Sequence, residues 1–176
     1  CDSWNSLVET VAQATNPKSQ IPNKSQIFKL QDIKIDEKER MKTGEAELDS
    51  VLGGGLVPGM VVLVTGEPGI GKSTLLTQVA LKTSPLTPLL NSGEGKKRGE
   101  VLYICGEESA SQVALRVKRL GLKGEMDLLE STDVDEIVAR MGQDMVIVDS
   151  IQTLTTQELT GTAGSVGQVR ECAARL

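Results

Sequence analysis

The residues that this 176-residue sequence lacks narrow its chemistry first. It contains no histidine, so the commonest general base and metal ligand of proteins is missing. Its aromatic residues are only Trp4, Phe28 and Tyr103, too few for a platform on which single-stranded nucleic acid would stack. No apolar run approaches the roughly 20 residues that a membrane helix needs, so we expect no membrane partner.

Cysteine is also scarce, and acidic residues outnumber basic ones by 24 to 19. Three widely spaced cysteines do not suggest a disulfide framework and favour a reducing, cytoplasmic location. The net charge of −5 argues against a strongly basic nucleic-acid surface, although it leaves a local patch open. With 39% hydrophobic and 24% charged residues, the composition is typical of a globular domain.

The stretch that organises the sequence is residues 66–73, GEPGIGKS, which fits the phosphate-loop pattern G-x-x-x-x-G-K-[ST] at every fixed position. The apolar run Met60–Val64 before it predicts a strand, and Thr74–Leu81 after it predicts a helix. Glycines let such a backbone curl around an anion, and the start of the helix faces the same anion. The predicted nucleotide-binding residues are Gly66, Glu67, Pro68, Gly69, Ile70, Gly71, Lys72, Ser73 and Thr74. Lys72 would reach the outer phosphates and Ser73 would bind Mg²⁺.

Strands and helices alternate after the loop, which predicts an α/β fold, a mainly parallel sheet with helices on both faces. Each of the three helices predicted after residue 100 begins with a capping pair: Ser109 with Gln112, Asp133 with Glu136, and Ser165 with Gln168. The predicted strands are Val101–Ile104, Met126–Leu129 and Met145–Val148, and the predicted helices are Ser109–Leu120, Asp133–Met141 and Ser165–Leu176. We expect Val166, Val169 and Leu176 to share one face of the last helix.

Acidic residues follow two of these strands. Asp149 ends an apolar strand, where parallel sheets place ligand-facing groups, and it fits the residue that holds Mg²⁺ through water. Glu107 and Glu108 follow the first strand after the loop, and a carboxylate there could activate the attacking water. Since neighbouring side chains of a strand point in opposite directions, one of the pair is expected to face the nucleotide, and Glu107 is preferred. The alternative is that both charge the start of the next helix.

Three further segments have open or competing interpretations. The pattern of Thr43–Leu52 predicts a short helix that Thr43 caps and Gly53 stops. We expect the glycines of residues 53–59 to form a turn rather than a second phosphate loop, because no helix is predicted directly after them. Residues 83–99 form a long connection whose Lys96–Arg98 run is a nucleic-acid contact or a solvated insertion. Arg116, Lys118 and Arg119 form a basic strip with the same two interpretations.

Several blocks of sequence resemble a known family. Glu47–Gly59, Tyr103–Ser109, Val148–Gln152 and Gly164–Glu171, together with the phosphate loop, resemble the RecA-like phosphate-loop NTPase core and, more narrowly, the RadA (Sms) family of DNA-repair proteins. Cys1 and Trp4 to Leu7 are similar to the end of that family's N-terminal zinc ribbon. The resemblance covers nearly the whole chain.

The resemblance implies a ring-forming, hexameric, DNA-dependent ATPase that promotes branch migration in recombinational repair. It implies ATP and Mg²⁺ as ligands, single-stranded and branched DNA and a RecA-type recombinase as partners, and a cytoplasmic or plastid-stroma location. It divides the chain into a ribbon remnant (1–9), a linker (10–27) and a RecA-like core (28–176) cut short at its C-terminal end. Cys1 would be a zinc ligand only in the full-length protein, and Thr155–Ser165 resembles a DNA-facing loop. The alternative is a nucleotide-gated ring or switch that does not act on DNA.

Overall fold

The computed structural model of the protein describes Lys29, Gln31, residues 40–83 and residues 100–176. The chain divides into two compact units, Cys1–Asp36 and Glu37–Leu176, and the fold described below is that of the second unit. The predicted ribbon remnant with Cys1, the linker, and residues 84–99 with the Lys96–Arg98 run lie outside the described residues. The predicted division into ribbon, linker and core therefore stays a prediction.

The described residues form short strands that alternate with helices. In chain order the elements are α1 (Ala46–Val51), α2 (Lys72–Thr83), β1 (Val101–Cys105), α3 (Ala110–Leu120), β2 (Asp127–Leu129), α4 (Val134–Arg140), β3 (Met145–Asp149), a 3₁₀ turn (Ile151–Thr153) and α5 (Val166–Arg175). The helix after the phosphate loop and the three strands and three helices that follow it agree with the sequence prediction to within one or two residues at most ends.

The three strands form one parallel sheet in the order β2–β1–β3. All five residues of the central strand β1 are buried, as expected for a continuous apolar run between two neighbouring strands. Cys105 at the end of β1 pairs with Asp149 at the end of β3, so the carboxyl ends of these strands lie side by side. The segments that follow them, Gly106–Glu108 and Ser150, therefore meet at one edge of the sheet.

Helices cover both faces of the sheet. On one face, Ala80 of α2 and Val113 of α3 pack with Tyr103 and Ile147. On the other face, Val134 and Ile137 of α4 and Cys172 of α5 pack with residues that include Leu102 and Ile104. The predicted parallel α/β fold with two covered faces is confirmed.

The predicted strand at Met60–Val64 is wrong in this structure. The run forms no regular element and pairs with no strand among the described residues, and Val61 and Leu63 are 92% and 79% exposed. Apolar residues form a strand only where the edge of another strand offers backbone hydrogen bonds. Within the described part of the chain, β3 is bonded to β1 alone and does not pair with this run.

The segment before that run corrects a second prediction, the capping of α1. The N-cap of α1 is Glu45 and not Thr43. The amide and the hydroxyl group of Thr43 both donate to Asp49 Oδ1 at 2.9 Å. The hydrogen bond from the Thr43 amide, the largest effect, lowers the pKa of Asp49 below its usual value. Gly53 follows the helix with a left-handed φ of 69°, as its predicted role as a stop requires.

The glycine-rich segment after α1 is a turn, as predicted. Met41 and Leu56 exchange two backbone hydrogen bonds of 2.8 Å. A Cβ atom at Gly55 would lie 2.6 Å from the Met41 carbonyl oxygen, so only glycine allows this approach. Residues 60–71 contain no helix, so no helix start faces these glycines.

The capping predictions are met to different degrees. At α3 the reciprocal pair of Ser109 and Gln112 is complete, and Gly121 ends the helix in the left-handed region. At α4 the Asp133 side chain accepts from the amides of Asp135 and Glu136, but the Glu136 carboxylate accepts from Ser131 Oγ at 2.7 Å instead of returning to Asp133. Only half of the predicted pair therefore forms there.

Candidate nucleotide-binding site

The phosphate loop leads directly into α2. Lys72 is the first residue of this 12-residue helix, and Gly69 and Gly71 take φ values of 78° and 104° that other residues rarely adopt. The Lys72 ammonium group donates to the carbonyl oxygens of Gly66 and Glu67, both at 2.9 Å, so the side chain folds back over the loop. The positive end of the α2 dipole and a lysine therefore lie at the same loop, which suits an anion.

Glu107 and Asp149 come together at the carboxyl edge of the sheet. The Gly106 amide donates to the Asp149 carbonyl oxygen at 2.8 Å, which holds the turn after β1 against the end of β3. Ser150 Oγ donates to Glu107 Oε1 across the same gap. A Cβ atom at Gly106 would lie 2.2 Å from Thr153 Oγ1, so glycine is needed at this turn. Two residues predicted from distant parts of the sequence are thus neighbours.

The two glutamates after β1 differ in their partners. Glu108 forms an ion pair with Arg116 of α3, whereas Glu107 contacts Ser150. This divergence agrees with the expected alternation of side chains. It distinguishes Glu107, beside the metal-binding candidate Asp149, from Glu108, whose charge is already paired.

Arg116 corrects the predicted basic strip on α3. Its side chain is 8% exposed, and it donates to Thr77 Oγ1 of α2 at 3.2 Å as well as to Glu108. Only Lys118 and Arg119 of the predicted strip are exposed. The sequence holds a signal for this arrangement, because Arg116 lies three residues after Val113 and four before Leu120, within the apolar stripe of the helix.

Tyr103 is a site residue that the sequence interpretation missed. Its hydroxyl group donates to Asp149 Oδ2 at 2.6 Å, although the residue itself is only 1% exposed. Burial, and then the bond to Asp149, raise the pKa of Tyr103 well above its ordinary value, so the hydroxyl remains a donor. The available signal was that a hydroxyl in the otherwise apolar run Val101–Cys105 needs a partner.

Ser73 and Asp149 suit Mg²⁺, because a hydroxyl and a carboxylate supply the oxygen ligands that this ion prefers. The Thr77 hydroxyl donates to the Ser73 carbonyl oxygen at 2.7 Å, which fixes the first turn of α2. In residues 40–83 and 100–176 no group of three acidic, histidine or cysteine side chains could hold a metal by itself. A site with few protein ligands agrees with Mg²⁺ bound largely by phosphate and water.

The segment after the site is held by α5. Ser165 is the N-cap of α5, as predicted, and its side chain accepts from the Gln168 amide. The Gln168 side chain does not return to Ser165: the residue is 2% exposed, and its side chain accepts from the Thr156 amide and donates to the Leu159 carbonyl oxygen, both at 2.9 Å. Arg175 forms ion pairs with Asp135, Glu158 and Glu171.

The predicted apolar face of α5 is wrong at Val166, which is 85% exposed, and the buried face carries Gln168 and Cys172.

Comparison with known proteins agrees with this arrangement. The profile of the AAA domain family matches residues 24–172. This chain belongs to the AAA domain family. The DNA repair protein RadA of Halalkalibacterium halodurans is 45% identical to it over 183 residues, and that of Pseudomonas aeruginosa is 40% identical over 184 residues. The RadA protein of Aquifex aeolicus is 40% identical over 181 residues.

These alignments cover 99% to 100% of this chain but only 38% of each relative. They confirm the resemblance inferred from the sequence blocks. None of the helices described here is both long and apolar enough to cross a lipid bilayer.

Proposed function

We propose that this chain is the nucleotide-binding core of a DNA-dependent ATPase that acts in recombinational DNA repair and promotes branch migration. The observation that carries the proposal is the site itself. A phosphate loop opens α2, and Glu107 and Asp149 meet at the carboxyl ends of two neighbouring parallel strands. The similarity to proteins named DNA repair protein RadA supports the cellular role.

Each site residue has a proposed part in ATP hydrolysis. The loop amides of residues 66–74 and the Lys72 ammonium group bind the phosphates. The Ser73 hydroxyl and the Asp149 carboxylate hold Mg²⁺, which neutralises phosphate charge when bound. Glu107 takes a proton from water while the water oxygen bonds to the γ-phosphorus and the bond to the β–γ bridging oxygen breaks.

The proposed partners follow from the same resemblance. Single-stranded and branched DNA and a RecA-type recombinase are the macromolecular partners, in the cytoplasm or the plastid stroma. The working assembly is a ring, proposed to be a hexamer, in which a neighbouring subunit supplies a positive charge to the γ-phosphate. Zinc, with Cys1 as one of its ligands, is a further metal that the resemblance implies for a chain of the relatives' length.

A second candidate is a nucleotide-gated ring or switch that does not act on DNA. It is favoured by the segment 155–165, which resembles a DNA-facing loop but contains no lysine or arginine. The nearby Arg175 is engaged by three carboxylates, so its charge is already compensated. Affinity for DNA usually depends on lysine and arginine contacts to phosphate, which this segment lacks.

ATP hydrolysis by the full-length protein, with and without single-stranded DNA, separates the two candidates. The proposed function predicts turnover that DNA stimulates and that Lys72→Ala abolishes. Turnover that is indifferent to DNA would favour the switch. Parent-like turnover by the Lys72→Ala protein would place the nucleotide elsewhere and overturn both.

A further inference from the structure

Asp149 and Ser73, the two candidate Mg²⁺ ligands, lie on separate elements, β3 and α2. Groups that share an ion or its bound water have to be held close to their productive positions, within about 0.5 Å, by the side chains around them. Tyr103 and Thr77 contact these residues from within the layer between α2 and the sheet.

Tyr103 is placed to fix the Asp149 carboxylate. The tyrosine lies on the central strand β1, and its ring packs in the core cluster that contains Ala80 of α2 and Val113 of α3. Because this ring is 1% exposed and enclosed by two helices, its hydroxyl group has a fixed position. Donation to Asp149 Oδ2 at 2.6 Å restricts rotation of the carboxylate and leaves Oδ1 available to a ligand.

The same layer holds Ser73. Thr77 Oγ1 donates to the Ser73 carbonyl oxygen at 2.7 Å and accepts from buried Arg116 at 3.2 Å. Polar side chains in a buried layer are costly unless each has a partner, so these contacts favour a single arrangement. The first turn of α2 and the Asp149 carboxylate are therefore both held by side chains of one buried layer.

We infer that Tyr103 is a positioning residue for Mg²⁺: its buried hydroxyl group orients the Asp149 carboxylate toward the ion that Ser73 also binds. The inference rests on the proposed nucleotide-binding function. Groups that hydrogen-bond to metal ligands set ligand orientation, and their loss typically lowers metal affinity or activity about 10- to 100-fold. The buried Tyr103 hydroxyl group contacts the Asp149 carboxylate, so the proposed effect of Tyr103 on the ion is exerted through Asp149.

The test is Tyr103→Phe in the full-length protein, since this change removes only the hydroxyl group. Binding of a fluorescent ATP analogue is measured in EDTA and across a Mg²⁺ titration, and Mn²⁺ binding is followed by electron paramagnetic resonance. We expect parent-like affinity in EDTA and a Mg²⁺ half-saturation concentration raised about tenfold, with weaker Mn²⁺ binding. The control is Thr83→Val, because the Thr83 hydroxyl is buried at the far end of α2 and has no hydrogen-bond partner in the described part of the chain.

Two results would overturn the inference. One is a Tyr103→Phe protein with the parent's Mg²⁺ dependence. The other is a parallel loss of affinity with and without Mg²⁺ together with a lower melting temperature, which would mark a purely structural role. Failure of the proposed function looks different, because the Lys72→Ala protein would then bind the analogue as the parent does.

Discussion

Two apolar runs of five residues lead into the two halves of the candidate site, and they have opposite fates. Val101–Cys105 is the buried central strand of the sheet and leads through Gly106 to Glu107. Met60–Val64 leads to the phosphate loop, yet it is unpaired among the described residues and Val61 and Leu63 are largely exposed. Similar composition therefore does not decide burial, because a strand needs a neighbouring edge.

The difference shows how each half of the site is held. The carboxylates of Glu107 and Asp149 follow directly from paired strands, so their separation is set by the sheet register. The phosphate loop is attached to the sheet through α2, whose residue Ala80 packs in the core with Tyr103. Substitutions in the two runs should therefore have very different effects on stability.

Matched leucine substitutions give the largest expected contrast. Leu102 is 5% exposed and Leu63 is 79% exposed. Leu102→Ala should lower the free energy of unfolding by about 3 kcal/mol, because it leaves a cavity in the core. Leu63→Ala should change it by less than about 0.5 kcal/mol. Urea unfolding of both variants measures the contrast, and equal losses would show that the Met60–Val64 run is also packed in solution.

Matched arginine substitutions on α3 test the polar layer that joins α2 to β1. Arg116→Met keeps an apolar stem but removes the donors to Glu108 and Thr77, and should cost about 1–3 kcal/mol of unfolding free energy. The cost is limited because the Glu108 side chain is 37% exposed and water can solvate it. Arg119→Met, at an exposed position of the same helix, is the control and should cost less than about 0.5 kcal/mol. Indistinguishable urea midpoints would contradict the buried role of Arg116.

The smallest effect concerns Asp49, in the segment that precedes the Met60–Val64 run. Its folded-state pKa is lowered by the Thr43 hydrogen bonds, so its contribution to stability is present above its ordinary pKa of 3.8 and disappears as the pH falls through the lower folded value. An NMR titration of the Asp49 carboxyl group should give a midpoint below 3.8. In a Thr43→Val variant, which loses the hydroxyl donor, the midpoint should move upward. A midpoint at or above 3.8 in the parent would show that the Thr43–Asp49 contact is absent in solution.

Local patterns in the sequence predicted much of this fold. The phosphate loop, the start of α2, strands β1 and β3 and the complete capping pair of α3 depend on residues close together in the chain. Tyr103 and Asp149 are separated by 46 positions, and Arg116 and Thr77 by 39. Contacts of this kind depend on how the helices pack on the sheet, which periodicity does not specify. The same limit explains Met60–Val64, since an apolar run does not reveal whether a partner edge is beside it.

Arg116 and Gln168 show a related limit. From residue type alone, Arg116 is expected on a solvated surface and Gln168 at a helix cap. Both are buried, because their side-chain donors and acceptors have hydrogen-bond partners outside their own turn of helix. Position on the apolar stripe of a helix was the better guide for Arg116. For Gln168 the capping pattern suggested a local partner, and the competing acceptors in residues 156–161 were not visible from spacing alone.

The most direct test of this account compares single-turnover ATP hydrolysis by Glu107→Gln and Glu108→Gln in the full-length protein. Glu107, which contacts Ser150, is the proposed water-activating residue, whereas Glu108 is engaged in its ion pair with Arg116. Glu107→Gln should lower the rate by about 10²-fold or more while nucleotide binding persists, and Glu108→Gln should retain most of the rate. A Glu107→Gln protein that hydrolyses ATP at the parent rate would contradict the account.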